Sequence, residues 1–251
     1  MLRDAWLIVM KEYREVLLRM GSLKGTIFNL ALIVGLFGVF MPLQAGMTWV
    51  TEPLMPLLYA WLPLFLVSAL VADSFAGERE RHTLETLLTT ALSDGAILLG
   101  KLAAAVLYGY VMLLAVMVLG IVTVNTASRT WGHPVFYRAD VAVAVVVLGF
   151  LVTLLIGAIG VLVSLKAPTV RQAGQALSLG ILTATAGPGF AVLYGYRLLP
   201  VEWQEGMAVW MLAPGNGHAL AAIVGLLLAA ANVVILAFAS RRFKRARLAF
   251  D

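Results

Sequence analysis

Val141-Ala-Val-Ala-Val-Val-Val-Leu-Gly-Phe-Leu-Val-Thr-Leu-Leu-Ile-Gly-Ala-Ile-Gly-Val-Leu-Val-Ser-Leu165 runs for 25 residues without a charge, and Thr153 and Ser164 are its only hydroxyls. An α-helix rises 1.5 Å per residue, so about 20 such residues cross the ~30 Å hydrocarbon layer of a bilayer. This stretch is a membrane span. Five more windows read the same way: Thr26–Leu43, Pro56–Ala72, Leu102–Val124, Gln175–Tyr196 and His218–Ser240. The whole chain agrees with them, being 62% hydrophobic and 12% charged over 251 residues, with a mean hydropathy of +0.96. Soluble domains are roughly half apolar and about a quarter charged. The expectation is an all-α membrane protein, a single six-span domain over residues 1–251. Its connections are short, with no room for a nucleotide-hydrolysing domain of the usual ~100–200 residues.

Lys and Arg set the orientation, because cytoplasmic loops retain them. With the N-terminus inside, the cytoplasmic segments hold 15 of the 18 Lys and Arg, and only Arg129, Arg138 and Arg197 fall outside. Both termini are therefore read as cytoplasmic, in the cytoplasmic (inner) membrane, and the net charge of +5 as orientation rather than nucleic-acid binding. The first apolar run begins only near Thr26, behind a long charged segment, so no cleavable signal is expected. Within that segment Trp6, Val9, Met10, Tyr13, Val16, Leu17 and Met20 recur at helical spacing, with Asp4, Lys11, Glu12, Glu15 and Arg19 largely opposite. Residues 3–22 read as an interfacial amphipathic helix, serving either as a lipid anchor or as a docking element.

The spans exclude several functions. They contain no Asp, Glu, Lys or Arg, so the intramembrane relays of proton-coupled carriers are missing. Intramembrane hydrolases need a nucleophile with a base, or clustered metal ligands, and neither is found. His82, His133 and His218 lie in three separate connections, and the chain has no cysteine, so no metal site and no catalytic residue is assigned. Gly95-Ala-Ile-Leu-Leu-Gly100-Lys101-Leu102 copies a phosphate loop up to its lysine, yet Leu102 stands where Ser or Thr would hold magnesium. It reads as the start of the third span.

Among the polar residues in the spans, Asn29, Ser68, Thr153, Ser178, Thr183, Thr185 and Asn232, most are expected to bond helix carbonyls or neighbouring helices. The fifth span carries small residues at four-residue spacing, and Gly187-Pro188-Gly189 should kink or interrupt it. Two readings stand there: tight packing, or a hinged helix along a path or subunit interface.

Residues 74–94 are chemically the richest. From Asp73 to Asp94 the chain places five of its 13 acidic residues, Asp73, Glu78, Glu80, Glu85 and Asp94, against only Arg79 and Arg81. Leu84, Leu87 and Leu88 form an apolar face, and Arg81 and Glu85 stand one helical turn apart, where they can pair. Lipid headgroups or a soluble partner could cover such a face. The acid excess favours a protein with a basic cleft.

At these residues the sequence resembles ABC-type exporter permeases of the second class, whose fold is shared with G-subfamily transporters. The resemblance rests on Gly77-Glu-Arg-Glu-Arg-His-Thr-Leu-Glu-Thr-Leu-Leu88 followed by Leu98-Leu-Gly-Lys101, on the Lys11-Glu-Tyr-Arg-Glu15 helix, on six spans in order, and on Leu212-Ala-Pro214. Two positions depart: His82 stands where glycine is usual and Ala91 where proline is frequent. The resemblance implies a permease subunit of an ATP-driven exporter, a homodimer or a pair of similar permeases joined to two cytoplasmic ABC ATP-binding subunits. The chain itself would bind no cofactor, ATP and Mg being held by those subunits. It implies a coupling helix in which Glu78, Arg79, Glu80, Arg81, Thr83, Leu84, Glu85 and Leu88 meet the ATPase. It also implies that the second and fifth spans line a pathway or dimer interface, making Tyr59, Ser68, Thr183, Gly187 and Pro188 candidates. Residues Val201 to Pro214 would form short re-entrant helices on the outer side. A subunit that anchors an ATPase without transporting, and a membrane enzyme of unrecognised type, are the alternatives. A path lined by Leu, Ala, Gly and Thr suits lipids, amphipathic drugs, peptides or glycans alike.

Overall fold

The computed structural model describes residues 2–19, 23–90, 92–213 and 216–242; Met20, Ala91, Pro214 and the basic residues Lys244, Arg245 and Arg247 lie outside them. The described chain is all-helical, 87% helix with no strand. Its main helices are α1 (Leu2–Arg19), α2 (Leu23–Gly35), α3 (Leu62–Glu80), α4 (Leu84–Leu88), α5 (Asp94–Ala127), α6 (Ala139–Lys166), α7 (Val170–Leu198), α8 (Val201–Leu212) and α9 (Asn216–Arg242), with the short helical turns Thr48–Thr51, Leu54–Leu57 and Leu58–Trp61 ahead of α3. The α2 helix continues through a π-helical turn, Leu36–Phe40, into Met41–Ala45.

Among the described residues four stretches are long and apolar enough to cross a membrane: Met55–Glu80, Asp94–Ala127, Ala139–Lys166 and Asn216–Arg241. They hold the second, third, fourth and sixth windows. The first window falls on α2 and its extension, where Leu30–Ala45 is a shorter apolar helix, and the fifth on α7. Two helices overrun the windows furthest. Helix α3 continues to Glu80 rather than stopping at Ala72, and α5 starts at Asp94 rather than Leu102. A helix ends where its backbone groups find caps, not where hydrocarbon gives way to water. The start of α5 is such a cap, Ser93 Oγ accepting from Ala96 N at 3.3 Å. The stretch that mimics a phosphate loop is thus the first turns of α5.

Helix α3 is the centre of the bundle, packed against α6, α5 and α7; α9 lies chiefly on α6, with Ile235 and Leu236 against the cluster of Leu102, Val106 and Ala158, and α1 lies on α5. Val67, Val71, Phe75, Ile97, Ile156 and Val161 form the core toward the α1 end. Trp49, Tyr59, Leu113, Val116 and Tyr137 form the core at the other. Close approach of α3 and α6 depends on Gly160, where a Cβ would sit 2.6 Å from Val71 Cγ1. Small residues do this work in membranes, since apolar side chains gain little by leaving lipid for one another. The most apolar window of α9 is only 6% buried within the chain, against 56% for that of Met55–Glu80. Lipid or another polypeptide must cover α9.

Of the two outcomes expected at Gly187-Pro188-Gly189, a kink or an interruption, the interruption does not occur: α7 is helical from Val170 to Leu198. Proline removes one ladder donor, a loss that spanning helices tolerate.

Candidate functional site: a charged joint at the end of the bundle

The ends of α3 and α6 and the starts of α5 and α7 meet beside α1, and charge holds them together. Lys101, one residue before the window that begins at Leu102, has a side chain only 1% exposed. An ammonium has three N–H donors, and each finds an acceptor: Glu12 Oε1 at 2.6 Å, the Ser74 carbonyl at 2.6 Å and Glu78 Oε1 at 3.5 Å. The Phe75 ring lies beneath it, 5.1 Å from nitrogen to ring centroid. Glu78 is itself buried and also accepts from Lys11 and from the Thr83 hydroxyl. Lys11 reaches Glu15 at 2.9 Å, one turn along α1. Burial alone would lower the Lys11 pKa, but hydrogen bonds to Glu78 and Glu15 and the charges of Glu78 and Glu12 hold it above the ordinary value.

Close contact between α1 and α5 requires Gly100. A Cβ there would lie 2.6 Å from Ile8 Cβ and 2.8 Å from the Ala5 carbonyl. The consecutive Gly100 and Lys101 therefore have one purpose: the first admits α1 and the second bonds it. Ala5, Ile8, Val9 and Glu12 form the inward face of α1, while Trp6 and Met10 are exposed. This corrects the face read from spacing, which grouped Trp6 with Val9 and placed Glu12 opposite. Lys101 draws Glu12 inward, and that charge rotates the helix.

Of four consecutive charged residues, three connect α3 to four other elements. Glu78 binds α1 and α5; Arg79 donates to the carbonyls of Ala167 and, at 3.0 Å, Leu165 at the end of α6. The Glu80 carboxylate accepts from Val170 N at 2.9 Å, capping the first turn of α7, where negative charge is favoured by the helix dipole. Arg81 turns back to Asp73 at 3.3 Å. It does not pair with Glu85, because His82 (φ 56°) separates α3 from α4 and removes the helical geometry the pairing assumed. A left-handed conformation is what glycine adopts without cost, which accounts for glycine being usual there in the resembling family. Behind this run, Ser164 Oγ accepts from Phe75 N (3.0 Å) and Ala76 N (2.9 Å) and donates to the Ala72 carbonyl (2.9 Å).

The expected coupling segment 74–94 is thus two structures: the last turns of α3, and a separate short helix α4 that Leu88 closes. Glu78 and Leu84 face inward, whereas Glu80, Arg81, Thr83, Glu85 and Thr86 are exposed, with Thr83 bonded through its hydroxyl. An open groove of about 580 Å³ separates α1 from this segment, lined by Leu7, Lys11, Glu15, Thr83, Thr86 and Thr90 among others.

The second group of candidates does not gather into one place. Tyr59 is enclosed, its hydroxyl 2.6 Å from Trp49 Nε1 and donating to the Phe37 carbonyl at 3.2 Å. Ser68 is half-buried and bonds the Phe65 carbonyl. Thr183 faces outward and bonds the Leu179 and Gly180 carbonyls of its own helix. Gly187 is exposed with open space about it, and Pro188 lies in the interior of α7. Among the described residues no three His, Asp or Glu side chains gather in a metal-binding group.

Sequence reasoning missed Lys101, Glu12 and Ser164 as parts of the joint. Lys101 carried a signal, a charge set at the edge of an apolar run, but Glu12 did not, and nothing local says that residues 89 positions apart meet.

Residues 40–248 match the model of a family described as ABC-2 family transporter protein. No curated protein matches the chain.

Proposed function

The chain belongs to the ABC-2 transporter family, as a multi-pass membrane permease component, and from that premise we propose that the charged joint transmits force from a separate ATPase into the bundle. The exposed surface of the segment after α3, centred on Glu85 and Thr86, docks in a basic cleft of an ABC ATP-binding subunit. Two such subunits serve two copies of this chain, each with six spans and both termini cytoplasmic, in the inner membrane. Closure of the ATPase pair displaces α4, and the cargo moves outward. ATP and Mg belong to the ATPase.

The observation that carries this reading is the run Glu78-Arg79-Glu80-Arg81. Its first three residues tie the segment to α1 and α5, to the end of α6 and to the start of α7. A push on α4 passes through the short turn to the end of α3, where the Thr83 hydroxyl also bonds Glu78, and from there to four other helices through polar contacts. Coupling requires different contacts in two states, and this is where such a difference would enter. The lengths of α2 with its extension and of α7 support six spans: at 1.5 Å per residue, 23 residues from Leu23 to Ala45 reach about 34 Å and the 29 of α7 about 43 Å. The exposed Thr183 and Gly187 on α7 support a contact with a second copy or a path beside it.

Charge reversal at Glu85 tests the docking, because Glu85 is exposed and α4 is outside the joint. The Glu85→Lys chain is expected to fold and reach the membrane but to lose co-purification with its ATP-binding subunit, or to leave ATP turnover uncoupled from transport. Unchanged co-purification, ATPase stimulation and transport would overturn the assignment. Glu80→Lys is a poorer probe, since it also uncaps α7.

A further inference from the structure

Helix α1 has a second face that the joint does not use. Its inward arc, Ala5, Ile8, Val9 and Glu12, is buried against α5. The opposite arc presents Arg3, Trp6, Leu7, Met10 and Arg14, all exposed, with Trp6 at 57% and Leu7 at 56%. At 100° per residue these five fall within about 100° of one another. Acid is absent from that arc: Glu12 is turned inward to Lys101, and Glu15 is paired with Lys11 on the groove side. No ion pair among the described residues involves Arg3 or Arg14. We propose that this stripe binds the anionic headgroups of phospholipid in the leaflet at the N-terminal end of the bundle.

The chemistry is that of an interfacial helix held at fixed depth. Trp, Leu and Met enter the boundary between headgroups and acyl chains, and the two arginines reach phosphate while their stems stay in the apolar layer. A tryptophan at this level is favoured on its own account. An ATPase is the poorer occupant, because the segment after α3 offers it exposed acid whereas this stripe offers only cation. The inference does not rest on the ATPase reading.

The chain has no cysteine, so Met10→Cys gives one site for a polarity-sensitive fluorophore on the full-length protein. Val118→Cys, exposed in the second half of α5 and away from α1, serves as the control. Each is reconstituted into vesicles of phosphatidylcholine containing a fixed fraction of brominated phosphatidylglycerol or brominated phosphatidylcholine. The label at position 10 is expected to be quenched about fivefold more strongly by the brominated phosphatidylglycerol, given the usual attraction of each arginine near an anionic surface. The label at position 118 should be quenched equally by both. Adding Arg3→Gln and Arg14→Gln should abolish the preference at position 10 and leave position 118 unchanged. Equal quenching at position 10 in the unmodified background, no quenching there, or protection appearing only with an added ATP-binding subunit or at densities where copies pair would overturn the proposal.

Discussion

Lys101 Nζ stands 2.6 Å from Glu12 Oε1 across 89 residues of chain, and neither side chain is more than 8% exposed. A buried ion pair adds little net stability over an apolar pair of the same shape, but removing one partner strands the other. Here the stranded charges would be Glu12 and, in part, Glu78. Lys101→Met is expected to destabilise the chain by about 3–5 kcal/mol. Lys101→Met with Glu12→Met should recover part of that loss. Denaturation in detergent micelles measures both, and a double variant no more stable than the single would show that the charges are not coupled.

Gly100 is a steric condition for the same contact. In Gly100→Val the added carbons would overlap Ile8 and the Ala5 carbonyl, and backbone cannot yield as a flexible side chain can. Helix α1 should lift from α5 while α5 itself persists. Trypsin cleavage after Lys11 and Arg14 should then accelerate at least tenfold, with helix content by circular dichroism nearly unchanged.

Ser164 binds α6 to the backbone of α3 through two donors and one carbonyl. Ser164→Ala removes all three of these bonds between the helices. The expected cost is about 1–3 kcal/mol, read as a lowered melting temperature. If the melting temperature is unchanged, Ser164 is a passenger in the packing.

His82→Gly should act in the opposite direction. A left-handed residue with a Cβ is strained by roughly 1–2 kcal/mol, offset in part by the greater freedom glycine has when unfolded. A gain of about 0.5–1 kcal/mol is expected, with the turn between α3 and α4 unchanged. A loss would mean that the His82 side chain makes a contact worth more than the strain.

The sequence by itself determined the solvent of this protein. Long uncharged runs such as Val141–Leu165 leave no choice but a helix in lipid, because a backbone without water must bond to itself. The position of the chemically rich segment was equally legible, since Glu78, Arg79, Glu80 and Arg81 stand out against an apolar chain. What each of them does was not. Spacing assigned Arg81 to Glu85, and one left-handed residue sent it to Asp73. Spacing placed Glu12 on a solvent face, and the distant Lys101 drew it inward. Periodicity reports a helix's own faces, whereas the direction in which a charge turns depends on which counter-charge the folded chain brings within bonding distance. Only the tertiary structure could decide that.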